Sequence, residues 1–220
     1  MSWASEEEEL SEFEQQRKRL FEAVSRAELS YALAKQAASR LGRTAQVRHK
    51  CFISYHGADI VGVTDFVESF NDVFIPRVVG VSDSDHFKDP VSSKDEEYIK
   101  QQIGSKYLSD STVTILYVGK CTWARKYVDW ELSSSLRNDT VNKRNGLLAL
   151  TPSDRSTNTL PSRFADNWAD DDSRYARYYY YPQSAESLRA WIEDAFKARD
   201  TRSSLINNKR ALRRINSACP

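Results

Sequence analysis

The chain has 220 residues, of which 40% are hydrophobic and 29% are charged, an ordinary composition for a globular protein with one good core. The formal net charge is +1, so no field over the whole molecule favours nucleic acid or an acidic surface as partner. The cysteines Cys51, Cys121 and Cys219 are an odd, scattered set without C-x-x-C spacing, and no apolar run approaches bilayer length. We therefore expect no disulfide framework, no metal site, no membrane segment and a cytoplasmic protein.

Residues 1–45 are predicted to form a long helix, from about Ser5 to Leu41, that packs on its own domain or joins two copies. Apolar side chains recur at alternating three- and four-residue steps, and only Arg17 interrupts this stripe. Gly42 provides a fitting end. Folding back on the domain is slightly favoured over a dimerising coiled coil, although one interrupted stripe does not separate them. The stripe comprises Leu10, Phe13, Leu20, Val24, Ala27, Tyr31, Ala34, Ala38 and Leu41.

Residues 46–198 are predicted to form an α/β domain that begins with an apolar strand, Lys50 to His56, and continues into a helix. In open α/β sheets, ligands bind at the carboxyl ends of the strands. The polar residues Ser54, Tyr55, His56 and Asp59 lie at this end of the first strand. An equally good interpretation is that His56 is a loop histidine with no function in the site.

A second strand is predicted over Val73 to Val81, and its Pro76 suits an edge or a bulge but not a central position. The polar stretch that follows, Ser82 to Lys94, carries three aspartates and a histidine. Its spacing matches no calcium loop, so a solvated loop is favoured over a metal site. A capping box at Ser93 to Glu96 opens the next helix.

The stretch from Ser111 to Leu136 contains a third strand and the helix after it. Val113 to Val118 is a short apolar run typical of a strand buried on both faces. Thr122 is a plausible cap for the helix.

Three side chains of this helix are spaced by four: Trp123, Tyr127 and Glu131. They are expected to line one flank, which opens at the carboxyl end of the strand. The alternative is that Glu131 is a solvated helix glutamate. We favour a functional role for Glu131 because the polar residues after the first strand are predicted to lie at the same edge of the sheet.

Two further strands are predicted, at Gly146 to Leu150 and at the tyrosine-rich Arg174 to Tyr181. Ser184 is predicted to cap a final helix. Residues 199–220 are predicted to form a basic tail that lies along the surface of the domain. This order predicts a flavodoxin-like three-layer α/β fold with a central, mostly parallel five-stranded sheet.

Several chemistries of this architecture are excluded by their missing motifs. No G-x-G-x-x-G follows the first strand, where Ser54 to Asp59 stands instead, and no phosphate-binding P-loop occurs. The third strand ends in Tyr117 to Lys120, without the aspartate that a phospho-receiver would place there.

The remaining motifs are specific through their order and spacing. They are Phe52 to His56, the polar loop after the second strand, Asp95 to Ile103, Ser111 to Thr114, Thr122 with Trp123, Lys126 to Glu131, and Arg213 to Asn216. Together they resemble the Toll/interleukin-1-receptor (TIR) superfamily, in particular the bacterial TIR-like branch of the Thoeris antiphage defence system. The resemblance covers roughly Arg48 to Pro220 and leaves the N-terminal helix unmatched.

The resemblance implies an NAD nucleosidase and ADP-ribosyl cyclase, which cleaves the nicotinamide–ribose bond and cyclises ADP-ribose into a signalling nucleotide. NAD is then a substrate, and no cofactor is expected. Glu131 falls on the catalytic glutamate of the family. The candidate substrate contacts are Ser54, Tyr55, His56, Asp83, Phe87, Trp123 and Tyr127, with Asp83 and Phe87 bordering the pocket or a neighbouring subunit.

The partners implied are a phage-derived trigger, an effector protein reached through the diffusible product, and further copies of the chain in a homo-oligomer or head-to-tail assembly. His56 and Tyr127 depart from common patterns of the superfamily, which affects pocket details only. A non-catalytic adaptor that acts by self-association is the second hypothesis. A nucleic-acid surface formed by the basic tail and the tyrosine-rich strand is the third and least favoured.

Overall fold

The structure is a computed structural model that describes residues 3–78, 108, 110–139, 143–152 and 159–219, with side chains described from residue 12 onward. The polar loop with Asp83 and Phe87 and the helix predicted to open at Ser93 lie outside the described residues.

Five parallel strands form the central sheet, in the order β2-β1-β3-β4-β5. This confirms the predicted flavodoxin-like fold, and β2 with Pro76 lies at one edge, as expected. The fifth strand begins later than predicted, at Arg177, because the N–H of Ala176 donates to Asn167 instead of extending the ladder with β4, and it ends at Tyr179. The strands are β1 Lys50–Ser54, β2 Ile75–Val78, β3 Val113–Tyr117, β4 Gly146–Leu150 and β5 Arg177–Tyr179.

Helices cover both faces of the sheet. One face packs against the first, second and fifth helices, and the other against the third and fourth. The helices are α1 Trp3–Arg40, α2 Ile60–Ser69, α3 Lys126–Ser135, α4 Ser162–Ala165 and α5 Ala185–Thr201, with 3₁₀ turns at Gly57–Asp59, Thr122–Ala124 and Ser203–Leu205. Among the described residues, none of the helices combines the length and apolarity that a membrane span requires.

The N-terminal helix α1 packs on its own domain, against α2 and β2. Leu20, Ala23 and Ala27 are buried in this contact, while the half that follows is largely exposed. Arg19 forms ion pairs with side chains of α2 beside the apolar contact. The helix ends as predicted, at a Gly42 whose φ of 63° is adopted by glycine without strain.

The C-terminal tail runs back across the start of α3 and is bound there covalently. Cys219 forms a disulfide with Cys121, and their Cα atoms are 5.7 Å apart. The expectation that the cysteines form no disulfide is therefore wrong, because the path of the tail joins two residues 98 positions apart in sequence and no local spacing reveals this. The tail also accepts a hydrogen bond from the indole of Trp130 at the carbonyl of Arg213, 2.7 Å away.

Candidate functional site

The candidate site lies at the carboxyl ends of β1 and β3, where the direction of chain winding changes. After β1 the chain continues into α2 on one face, whereas after β3 it continues into α3 on the opposite face. In doubly wound sheets of this strand order, the crevice between these two strands is where ligands bind.

Ser54 and Glu131 meet at this crevice. Ser54 is the last residue of β1, is fully buried, and donates a hydrogen bond from Oγ to Oε2 of Glu131 over 2.6 Å. Glu131 projects from the middle of α3 and is partly buried. Burial raises the pKa of Glu131 from 4.5 to about 8, and the hydrogen bond from Ser54 opposes this rise. The site therefore holds a carboxyl group that gains or loses its proton close to physiological pH.

Tyr55 and His56 extend from β1 beyond Ser54. The phenol of Tyr55 packs against the core on the side of α1 and α2. Burial raises its pKa to about 12, the negative charge of Glu131 adds to the rise, and Arg17 opposes it. The pKa of His56 is lowered by burial and by the nearby charge of Arg125, which favours the neutral imidazole.

The imidazole of His56 is unusual in its hydrogen bonding. Within the part of the chain that the structure describes, its buried Nδ1 has no hydrogen-bond partner. Buried polar atoms are normally paired, so such an atom at a rim is a suitable contact for a ligand group.

A second carboxyl group, that of Asp59, lies beside Gly119, two residues after the end of β3. Its oxygens fill the space next to Gly119 where a side chain would otherwise lie, so that a Cβ at position 119 would overlap them. Thr122 Oγ1 donates to Asp59 over 3.2 Å and accepts from the backbone N–H of Gly119 over 2.9 Å. Burial raises the pKa of Asp59. The sequence predicts Asp59 at the rim, but no local pattern connects it to Gly119 and Thr122.

The predicted flank of Trp123, Tyr127 and Glu131 is wrong in one respect. Trp123 lies in a 3₁₀ turn, and Arg125, with φ −93° and ψ 126°, is extended between that turn and α3. The helical spacing therefore begins only at residue 126, and Thr122 does not cap α3.

The two aromatic candidates consequently have different surroundings from Glu131. Trp123 lines a separate hollow of about 220 Å³ together with Asp129 and Arg213. The ring of Tyr127 packs edge-on against Trp130, with centroids 5.1 Å apart. Asp83 and Phe87 are outside the described residues, so their predicted contacts stay predictions.

The orientation of α3 is fixed by a buried ion pair. The fully buried Arg163 donates from Nε to Asp129 Oδ1 over 2.9 Å, and the backbone N–H of Arg213 donates to Asp129 Oδ2 over 2.8 Å. These contacts join α3 to α4 and the tail two residues before Glu131. No sequence signal identified this pair, because Arg163 is 34 positions away from Asp129.

Among the described residues, no three His, Cys, Asp or Glu side chains lie close enough together to hold a metal ion. The acidic loop considered as a metal site lies outside them.

Comparison with known protein families places part of the chain in a described family. Residues 52–157 match the family model described as Thoeris protein ThsB, TIR-like domain. The matched segment contains Ser54 and Glu131 and leaves α1, α4, β5, α5 and the tail outside. No curated protein matches the chain.

Proposed function

Residues 52–157 belong to the TIR-like domains of the Thoeris protein ThsB, and from this premise we propose that the protein is an antiphage-defence enzyme that cleaves NAD at the nicotinamide–ribose bond. We further propose that it cyclises the resulting ADP-ribose into a signalling nucleotide, an isomer of cyclic ADP-ribose. The observation that carries the proposal is the hydrogen bond of 2.6 Å from Ser54 to Glu131 at the crevice between β1 and β3.

The chemistry of the bond requires one well-placed carboxylate. When the C1′–N bond breaks, the bonding electron pair leaves with nicotinamide, which departs as a neutral base and needs no proton. The ribose is left with oxocarbenium-like positive charge, which a fixed negative group stabilises in the transition state. Glu131 is suited to this task because Ser54 holds one of its oxygens in place and leaves the other available for the ribose.

The raised pKa of Glu131 couples its ionisation to substrate binding. In the free protein the group is largely protonated at neutral pH, since burial raises its pKa to about 8. The nicotinamide ring of NAD carries a positive charge, and an adjacent cation favours the carboxylate over the neutral acid. Substrate binding therefore lowers the pKa of Glu131 and generates the ionised form that the reaction uses.

The fate of the ribosyl cation depends on which nucleophile reaches C1′. Attack by water gives linear ADP-ribose, whereas attack by a hydroxyl or adenine nitrogen of the same molecule gives a cyclic product. Exclusion of water thus selects cyclisation. We propose that head-to-tail assembly through the segment with Asp83 and Phe87 supplies this exclusion in response to a phage-derived trigger. The product then activates a partner effector in the cytoplasm.

The experiment is to incubate wild-type protein with NAD, with and without extract of infected cells, and to identify the products by mass and retention time. We expect nicotinamide and a cyclic nucleotide from the wild type, and a rate at least about 100-fold lower from Glu131→Gln. Glu193→Gln is a matched control, because Glu193 lies on α5 and pairs with His49 away from the site. Undiminished product from Glu131→Gln would refute the proposed role.

One observation supports a non-catalytic adaptor as a second candidate. The carboxyl-terminal half of α1 exposes Leu29 and Leu33, with 60% and 55% of their surface accessible. They lie four residues apart, so they are neighbours on one side of the helix, which suits self-association. An adaptor would self-associate equally well as wild type and as Glu131→Gln, and neither protein would consume NAD.

A further inference from the structure

We propose that the hollow bordered by Trp123 is a binding site for a nucleoside monophosphate, separate from the crevice in which Ser54 meets Glu131. This inference goes beyond the proposed cleavage of NAD, because neither Ser54 nor Glu131 borders the hollow.

The hollow and the crevice lie on opposite sides of α3. Asp129 borders the hollow, whereas Glu131, two residues later, accepts the hydrogen bond from Ser54. Successive side chains of an α-helix are turned by about 100°, so two side chains that are two residues apart point about 200° away from each other. A ligand in the hollow therefore contacts a different face of α3 from a ligand in the crevice.

The walls of the hollow are fixed before any ligand binds. The buried Arg163 donates to the backbone carbonyl of Ala211 over 3.1 Å, and the indole of Trp130 donates to the carbonyl of Arg213 over 2.7 Å. The disulfide near the end of the tail is attached directly before the turn that carries Trp123. A preformed site loses little conformational freedom on binding, which favours affinity for a small ligand.

The charges around the hollow leave one cation uncompensated. Arg210 donates two hydrogen bonds of 2.8 Å to the carboxylate of Asp166, and Asp129 accepts from Arg163 over 2.9 Å. Arg213 also borders the hollow, and its guanidinium donates to a neutral hydroxyl group of the tail. Within the described ranges of the chain, this guanidinium has no carboxylate partner. A partly buried guanidinium without a counter-charge is suited to bind the oxygens of a phosphate group.

Trp123 adds an aromatic surface to this cation. Its side chain is partly buried and borders the hollow, and it belongs to none of the apolar clusters that form the described core. An aromatic side chain at the edge of a cationic hollow stacks on nucleobases.

The size of the hollow limits the ligand. Its volume is about 220 Å³, below the range of roughly 300–1,000 Å³ that is usual for sites of drug-sized molecules. One uncompensated cation matches one phosphate group, and one indole matches one base. The ligand class that fits both features and the volume is a nucleoside monophosphate rather than a dinucleotide.

The test is calorimetric titration with adenosine monophosphate (AMP) of the wild type, Arg213→Met and Trp123→Leu. We expect Arg213→Met to bind AMP about 10- to 100-fold more weakly, because a hydrogen bond to a charged group is lost. Trp123→Leu should bind it about 5- to 100-fold more weakly, because base stacking is lost. Arg213→Met keeps the backbone N–H and carbonyl that join the tail to α3, so the walls of the hollow stay in place.

Two conservative variants separate contact with the ligand from support of the fold. Arg213→Lys keeps the positive charge and should recover part of the affinity. Trp123→Phe keeps an aromatic face and should bind AMP within about fivefold of the wild type. The change in tryptophan fluorescence that AMP causes in the wild type should largely disappear in Trp123→Phe, because the indole beside the base is gone.

The controls locate the ligand and define its class. Arg26→Met removes an exposed ion pair with Glu68 on the far helix α1 and should bind AMP within about threefold of the wild type. Glu131→Gln should also bind AMP like the wild type, because Glu131 faces the crevice and not the hollow. Adenosine and inorganic phosphate each carry one half of AMP, and both should bind the wild type at least about tenfold more weakly than AMP.

Three results would overturn the assignment. If AMP does not bind the wild type, or binds Arg213→Met equally well, the hollow is not a phosphate site. If adenosine binds as tightly as AMP, the cation takes no part. If Glu131→Gln weakens AMP binding as much as Arg213→Met does, the nucleotide lies in the crevice. These measurements need no turnover, so an absence of nicotinamide release would refute the cleavage proposal and leave this site untouched.

Discussion

Replacing Glu131 by glutamine should stabilise the protein at alkaline pH while it removes the proposed activity. The change keeps the size of the side chain and an oxygen that accepts from Ser54. It removes a carboxyl group whose charged form is disfavoured by burial.

The magnitude follows from the pKa. The pKa of Glu131 is raised from 4.5 to about 8 in the folded protein, so the folded state keeps a proton that the unfolded chain releases. Stability from this proton is fully present below the unfolded pKa and is lost as pH rises through the folded pKa. At about 1.4 kcal/mol per pKa unit, the loss is at most about 4–5 kcal/mol at pH 8.5, and solvent screening of a partly buried group reduces it to about 2–3 kcal/mol.

The assay is urea denaturation at pH 5 and pH 8.5, followed by tryptophan fluorescence. We expect Glu131→Gln to exceed the wild type in free energy of unfolding by about 2–3 kcal/mol at pH 8.5 and by less than about 1 kcal/mol at pH 5. Glu193→Gln is the control of opposite sign, because a hydrogen bond from His49 lowers the pKa of Glu193. It should not gain stability at pH 8.5.

Either of two outcomes would refute the reasoning. If Glu131→Gln is no more stable than wild type at pH 8.5, burial does not disfavour the charge. If the gain is the same at both pH values, it has another origin than the carboxyl group.

Three further measurements test the site and its support. The kcat/KM for NAD should rise about tenfold per pH unit between pH 6 and 7 and level off above about pH 8, as the carboxylate of Glu131 forms; a flat profile would exclude this group. Cys121→Ser, which opens the disulfide to Cys219, should lower the free energy of unfolding by about 2–4 kcal/mol in urea, and an unchanged urea midpoint would show that the bond adds no stability. Asp129→Asn leaves the guanidinium of Arg163 buried without its carboxylate and should cost about 3–5 kcal/mol in the same assay, whereas a loss below about 1 kcal/mol would show that the pair does not hold α3.

The sheet and the central pair of the site could be predicted from the sequence because both depend on local patterns. Short apolar runs between turn residues identify buried parallel strands, as in Val113–Tyr117 and Gly146–Leu150. Once these strands are parallel, their carboxyl ends share one edge, which places Ser54 near the helix of Glu131.

Other features depend on contacts between segments that are far apart in sequence, and the spacing of apolar residues does not reveal such contacts. The disulfide to Cys219 requires the return path of the tail, and the pairing of Asp129 with Arg163 requires the position of α4. The predicted position of Trp123 is wrong because the four-residue spacing of the sequence runs through Arg125, where the backbone is extended.

The most direct test of the central claim is nicotinamide release from NAD at pH 8, measured over time at a protein concentration high enough for assembly. We expect steady release by the wild type and release at least about 100-fold slower by Glu131→Gln, with both proteins folded to the same extent by circular dichroism. Equal rates for the two proteins would contradict the claim that the carboxylate held by Ser54 performs the cleavage.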